Sequence, residues 1–536
     1  MENVSRTKGV FKVKKDTHNK QVSVKAGELF YYFFLIITMG AKGIGLTEGQ
    51  RVFTLCLITG YFCFLLKLLF TEYSLKEWCV NIVLLLIAGL IRKSSGETAA
   101  LAAVCMVIGM KDVSLIRVMK LTLGIWGSTF LFSVLRGVLG MGDGVVVVHS
   151  KLGLGPVIRY SLGYTHPNVL HVTYFVVVML LIYSLKMTGK RLWVLAGLLF
   201  LGNLYIFLYS VSYTGIIIVT FYLCMSLYLD ARKRLSYVEK ILIQCIAPFC
   251  IIFPIAGPLL ITGRAFDFFN RLLSTRFQLV YYFFHTFRLS LFGTRTVTPS
   301  DAHLTLDSSF AYLLMYYGVI AFVLFVTIFL MTIYRSVKND RRKDLAVLVS
   351  TALSAVTEQF LFNLSFKNIS LFFVGDFVYN ILLAGEKRSI WNRRKALLIL
   401  RKEELCLGFR MERRFRDACK DIRPVKCFIR ALPIAAITAA LFLVLWNRPD
   451  SVFVNRGLSD YEGEYFVAQA DWNRADENSL FIGDMSEGQK IYEFKENIVA
   501  LEGVRGLIST MVWSEIGGMV FVGIWQASIK IHRRNK

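Results

Sequence analysis

No Walker A motif occurs in the 536 residues, so an ATP-driven pump is not indicated. No polar segment is large enough for a nucleotide-sugar-binding domain. The largest basic one, residues 386–430, offers 45 residues, where a doubly wound domain needs roughly 100 or more. No CxxC pair and no His/Cys cluster suggests a metal. None of the ten cysteines falls in the larger segments assigned below to the outside, so neither a metal site nor a disulfide framework is expected. No A-x-A site follows the first apolar run, and its polar lead of 27 residues is long for a cleavable signal peptide. There is no 20–50-residue repeat and no low-complexity stretch. Acidic residues are scarce, with 37 Asp+Glu against 62 Lys+Arg.

What the chain has in abundance is apolar surface. Hydrophobic residues make up 55% and the mean hydropathy is +0.54, more than a soluble core of this size requires. The apolar residues come in runs that, with their flanks, reach about 20 residues, the length that spans a bilayer. Several are apolar all round, as buried or lipid-facing helices should be. The expected fold is all-α: a polytopic membrane protein with about fourteen transmembrane helices. They are placed near 28–46, 52–70, 77–92, 96–110, 119–137, 167–186, 191–209, 213–230, 239–257, 308–333, 344–363, 368–385, 428–446 and 507–526.

Charge sets the expected orientation. Residues 1–27 hold seven Lys/Arg and two acids, and residues 386–430 hold fifteen against six. Residues 447–506 reverse the balance, with twelve acids and six Lys/Arg. The positive-inside rule then puts both termini in the cytoplasm and 447–506 outside the cytoplasmic membrane. Arg92-Lys93, which would face out, is the exception. The chain divides into a basic tail (1–27), a membrane core of about twelve helices (28–385), a basic cytoplasmic linker (386–427) and a two-helix extension (428–536) that carries the acidic outer segment. Segregated positive charge of this kind explains the excess without nucleic acid.

Two outer segments are basic. Residues 138–166 open with a Gly-rich turn, continue through a short strand expected at Val145–Val148, and close on Arg159-Tyr160-Ser161-Leu162-Gly163-Tyr164-Thr165-His166 before Pro167. By local chemistry alone this end is a capped helix start. Residues 258–307 contain Arg264, Arg271, Arg276, Arg288 and Arg295, interleaved with aromatic side chains, and no lysine. Arginine presents a planar fork that matches phosphate oxygens two at a time. The same pattern suits a helix lying in the interface with its guanidinium groups at lipid headgroups. Asp307, at the start of a span, is equally an N-cap. Glu358 lies inside the span 344–363, and an intramembrane carboxylate is a functional candidate.

Three stretches carry a resemblance. Arg159–Asn168, RYSLGYTHPN, resembles the Arg-x-Ser-Leu-Gly-Phe-x-His-Pro-Asn signature of Wzy-type polysaccharide polymerases, of the O-antigen ligase and polymerase superfamily. Asn270–Gly293 is similar to their Arg-containing stretch ending in Leu-Phe-Gly. Leu306–Gly318 resembles their Asp-Asn-x-Tyr…Gly start of a late span, near His303. Tyr213 stands where such proteins often carry Arg in an outer turn. The resemblance implies a GT-C-like, metal-independent, inverting glycosyltransferase without cofactor. It would transfer a growing capsule, exopolysaccharide or O-antigen glycan from undecaprenyl pyrophosphate to the non-reducing end of another lipid-linked unit. It implies His166 or Asp307 as base, Arg276 at the diphosphate, and substrate contacts from Arg159, Asn168, Arg264, Arg271, Arg288, Tyr213 and His303. The partners it implies are membrane lipids, a flippase and a chain-length regulator. A ligase of finished glycans, or a flippase of lipid-linked oligosaccharide, are the alternatives. A transporter would carry its charges through the bilayer midplane, whereas the arginines here gather on one loop.

Overall fold

The computed structural model describes residues 23–139, 141, 146–151, 155–297, 304–383, 405–406, 424–446, 453–456, 465–466, 491–494 and 496–535. The chain runs through helices α1 (Ala26–Gly43), α2 (Arg51–Leu69), α3 (Leu75–Ser95), α4 (Ala99–Gly109) and α5 (Leu115–Val138). An antiparallel hairpin follows, β1 (Val146–Lys151) with β2 (Gly155–Tyr160), registered Val146 to Tyr160 and Lys151 to Gly155. Then come α6 (Pro167–Leu185), α7 (Gly189–Ser210), α8 (Tyr213–Ala231), α9 (Tyr237–Leu260), and the short α10 (Gly263–Leu272) and α11 (Arg276–Thr286). The long α12 (Ser309–Lys338), α13 (Arg342–Ser354) and α14 (Ser370–Leu382) complete the core. The extension adds α15 (Pro424–Leu445) and α16 (Glu496–Asn535).

The protein is an all-α polytopic membrane protein: nine helices among the described residues are long and apolar enough to cross a membrane. A helix occupies each of the fourteen segments expected to span, because each apolar run closes its own backbone hydrogen bonds only as a helix. Three expectations need correction. The span 344–363 ends as a helix at Ser354, and residues 355–369 form an irregular link. Polar side chains there compete for the backbone. Ser365 Oγ donates to Phe360 O at 3.0 Å and Asn368 Nδ2 to Leu361 O at 3.0 Å. The single interfacial helix is two, separated by consecutive left-handed residues, Ser274 (φ 52°) and Thr275 (φ 67°), which redirect the chain. The strand expected at Val145–Val148 is longer: among the described residues it runs from Val146 to Lys151, as one arm of the hairpin.

The far end of the bundle is fastened by ion pairs. Lys111 Nζ lies 2.5 Å from Glu77, both fully buried, and Lys67 Nζ donates to Lys111 O at 2.6 Å. Arg117 pairs with Glu28 at 3.1 Å, and Arg341 lies 3.6 Å from both Asp344 and Asp376. The near end, where α1, α5, α7 and α13 finish and α6, α8 and α12 begin, is where the sequence motifs meet. The extension joins this end: Trp513 Nε1 on α16 donates to Tyr205 Oη at 2.9 Å, and Arg505 Nε donates to Leu208 O at 2.6 Å.

Candidate functional site

Strand β2 delivers Arg159 beneath the α7–α8 turn. Its Nε donates to Ser210 O at 2.7 Å and its Nη2 to Asn168 Oδ1 at 2.5 Å. Burial pulls the guanidinium down to about 10, against the charge of Glu358, so it stays a cation at neutral pH. The chain then turns at Leu162-Gly163 to reach α6. Gly163 has φ 84°, and a Cβ there would stand 3.1 Å from Ser133 O, so a side chain would be both strained and crowded. His166 is the N-cap of α6, with Pro167 in the first turn, and its Nδ1 accepts the Asn168 N–H at 3.1 Å. A backbone N–H can only donate, so the neutral ring carries its proton on Nε2. In that state Nε2 of His166 is a donor.

Two carboxylates are at hand, bridged by one arginine. Arg276 opens α11 and is 7% exposed. Its Nε donates to Thr357 O at 2.7 Å and its Nη1 to Leu273 O at 3.1 Å. The same guanidinium lies 3.5 Å from Asp307 Oδ2 and 3.7 Å from Glu358 Oε1. Thr214 Oγ1 donates to Glu358 Oε1 at 2.7 Å, and Thr305 Oγ1 to Asp307 Oδ1 at 3.0 Å. The arginine neutralises a like-charged pair that would otherwise be costly to bury.

The Leu-Phe-Gly and Tyr-Tyr-Gly motifs hold these groups in register. The turn Leu313–Tyr317 in α12 is a π-helical segment, whose widened backbone leaves groups for the 288–294 link. Thr294 N donates to Met315 O at 2.9 Å, and Val319 N to Ser290 O at 3.0 Å. Gly293 and Gly318 both have positive φ, and a Cβ on Gly293 would stand 1.9 Å from Tyr316 O. Only glycine lets the two backbones approach this closely. Just upstream of this turn, Ser309 N donates to Ala355 O at 2.9 Å, and Ser309 Oγ donates to Glu358 O. These contacts fix Asp307 beside Glu358.

His166, Asn168, Asp307 and Glu358 line one cavity of about 690 Å³. It sits at the near end of the bundle and is lined also by neutral polar groups, among them Thr47, Gln359 and Asn363. Three cations that sequence reasoning missed share its wall: Lys42 at the end of α1, Arg136 at the end of α5, and Lys367 in the irregular link. Lys367 is 5% exposed and lies over the rings of Trp126 (5.5 Å) and Tyr164 (5.8 Å). Burial pulls its ammonium down to about 7, the Lys42 charge adds to this, and Glu358 opposes it. The available signal was a basic residue amid apolar ones next to a predicted span.

The remaining expected residues do not join this cavity. Arg264 and Arg271 on α10 and Arg288 beyond α11 are exposed. Tyr213 stacks on Phe207 at 5.9 Å, and its neighbour Thr214 is the residue that reaches Glu358. His303 lies outside the described residues. Among the described residues no three His, Cys, Asp or Glu side chains group as a metal site. No family model, curated protein or solved structure matches the chain.

Proposed function

We propose that the chain is a polymerase of lipid-linked oligosaccharide repeat units, a GT-C-like glycosyltransferase at the outer face of the cytoplasmic membrane with both termini inside. The observation that carries this reading is the Asp307–Arg276–Glu358 cluster, which opens into a cavity lined by His166 and by neutral hydroxyl and amide groups. In the proposed reaction the acceptor sugar hydroxyl gives its proton to Asp307, the more exposed of the two carboxylates. The hydroxyl oxygen bonds to the anomeric carbon from the face opposite the leaving group. The carbon–oxygen bond to undecaprenyl pyrophosphate breaks, and its electron pair leaves on the diphosphate. The anomeric centre inverts. His166 Nε2–H donates to a substrate oxygen, Glu358 holds Arg276 and Thr214 in place, and Arg159 holds Asn168. No metal enters this scheme, because an arginine and lysines supply the positive charge.

The test uses the full chain in detergent with lipid-diphosphate-linked repeat units, no nucleotide, and EDTA. Longer oligomers are expected, and Asp307→Asn should slow their formation by about 10²–10⁴-fold while the protein elutes as native. Detergent removes the two compartments, so transport gives no signal in this assay. Unchanged substrate from well-folded protein overturns the transferase reading and favours a flippase.

A further inference from the structure

The two arginines at the site have little left to offer a ligand. Arg276 is committed to two backbone carbonyls and two carboxylates, and Arg159 to Ser210 O and Asn168. Both are buried. The cations of the cavity wall are in the opposite condition. Among the described residues, the Lys367 ammonium makes no hydrogen bond and has no carboxylate within 4 Å, and it rests on two aromatic faces in the wall of the cavity. Lys42 likewise lies over a ring, that of Phe53 at 4.9 Å. Among the described residues, Arg136 donates its Nε to Met141 O at 2.9 Å. Rings stabilise a buried ammonium only in part, and an unpaired one is costly. Three under-partnered cations around one cavity amount to a site for a polyvalent anion.

We propose that Lys367, Lys42 and Arg136 form the diphosphate-binding part of the cavity, and that Arg276 and Arg159 are positioning residues. The identity of the anion rests on the transferase reading: the polyvalent anion such an enzyme meets is the diphosphate ester of a lipid-linked sugar. Cations in the cavity wall hold the leaving diphosphate, and Asp307, in the wall of the same cavity, receives the acceptor's proton. Lys367, drawn down by burial, regains its full charge when the anion arrives.

The test is equilibrium binding of farnesyl diphosphate to the purified full chain in detergent, with farnesyl monophosphate, inorganic pyrophosphate and phosphatidylglycerol as competitors. Native protein should prefer the diphosphates. Lys367→Met should weaken farnesyl diphosphate binding by about tenfold or more, Lys367→Arg should restore most of it, and the variant Lys338→Gln, at the exposed far end of α12, should bind as native does. If Lys367→Met does not fold, the double variant Lys42→Gln, Arg136→Gln gives the same reading. Undiminished affinity in these variants, or no diphosphate binding by native protein, overturns the proposal. Phosphatidylglycerol competing as well as farnesyl diphosphate would make the occupant a lipid headgroup and also overturn it. Lys367-dependent diphosphate binding in a protein that forms no oligomers would leave this site standing and remove the polymerase reading.

Discussion

Arg276 donates its Nε–H to the carbonyl oxygen of Thr357 at 2.7 Å, fixing the peptide that leads into Glu358. The bond crosses from α11 to the irregular link after α13, so the carboxylate pair depends on a residue far away in sequence. Arg276→Lys keeps the charge and loses the fork that reaches a carbonyl and two carboxylates together. The expected result is a fall in kcat of about 10²-fold or more with KM for the lipid-diphosphate substrate little changed. Arg276→Ala should also destabilise the fold by about 3–5 kcal/mol, since it leaves two buried or half-buried carboxylates without their cation. Oligomer kinetics in detergent and a thermal melt check these two outcomes. A raised KM with native kcat would instead place Arg276 at the diphosphate.

His166 combines a structural bond and a chemical one, and the two are separable. Its Nδ1 caps α6 through the Asn168 N–H. Asparagine caps helices as well as any residue, so His166→Asn should keep the melting temperature close to native while removing the Nε2–H donor. Oligomer formation should then fall by about 10²-fold or more. His166→Leu should lose both, with about 1 kcal/mol of stability gone with the cap. Native activity in the Asn variant would reduce His166 to a cap.

The helices were legible because a bilayer span writes itself as a long apolar run, and nine helices among the described residues are long and apolar enough to cross. Arg159, His166, Arg276, Asp307 and Glu358 were legible as unusual residues in unusual places, and the structure brings all five together. The five arginines of 258–307 looked alike in sequence. Only Arg276 is turned inward, and this depends on the left-handed pair Ser274-Thr275, to which neither residue type points. Lys42, Arg136 and Lys367 were not legible as a group. They come from three segments spread along the chain, and only tertiary packing around the cavity assembles them. Tyr213 drew attention through its place in a motif, yet the functional contact belongs to Thr214, the next residue round the helix.

The extension reaches the site through Tyr160, the neighbour of Arg159. Glu502 accepts the Tyr160 Oη–H at 3.0 Å, Arg505 lies 5.2 Å over the same ring, and the two pair with each other at 2.5 Å. Glu502→Gln preserves an acceptor for the tyrosine but leaves the buried Arg505 guanidinium without its carboxylate, and should lower stability by about 1–3 kcal/mol. Arg505→Met should lower stability by about 1–3 kcal/mol, because Leu208 O loses its donor and Glu502 its cation. Activity should fall with it through a loosened Arg159, read as a lower kcat that is rescued by Arg505→Lys only in part. Native kcat in Arg505→Met would make the extension independent of the site.

Orientation decides which compartment the cavity faces, and the charge contrast across α15 is the sharpest place to measure it. Residues 386–430 carry a net of +9 and residues 447–506 a net of −6, so the positive-inside rule directs the first to the cytoplasm and the second outside. The cavity lies at the near end of the bundle with Tyr160 and Glu502, the end at which α15 finishes and α16 begins. Labelling the extension therefore also reports the face of the site. In a chain stripped of its ten cysteines, Asp471→Cys should react with a membrane-impermeant maleimide added to intact cells, and Arg410→Cys should react only after lysis. Thr47→Cys, in the cavity wall, should follow Asp471→Cys. The reverse pattern would turn the cavity to the cytoplasm, where glycan units displayed outside cannot reach it, and would remove the polymerase reading. The Arg92-Lys93 pair at the end of α3 opposes the expected result. Two charges at a helix C-terminus, where the macrodipole favours cations, weigh less than the fifteen of residues 386–430.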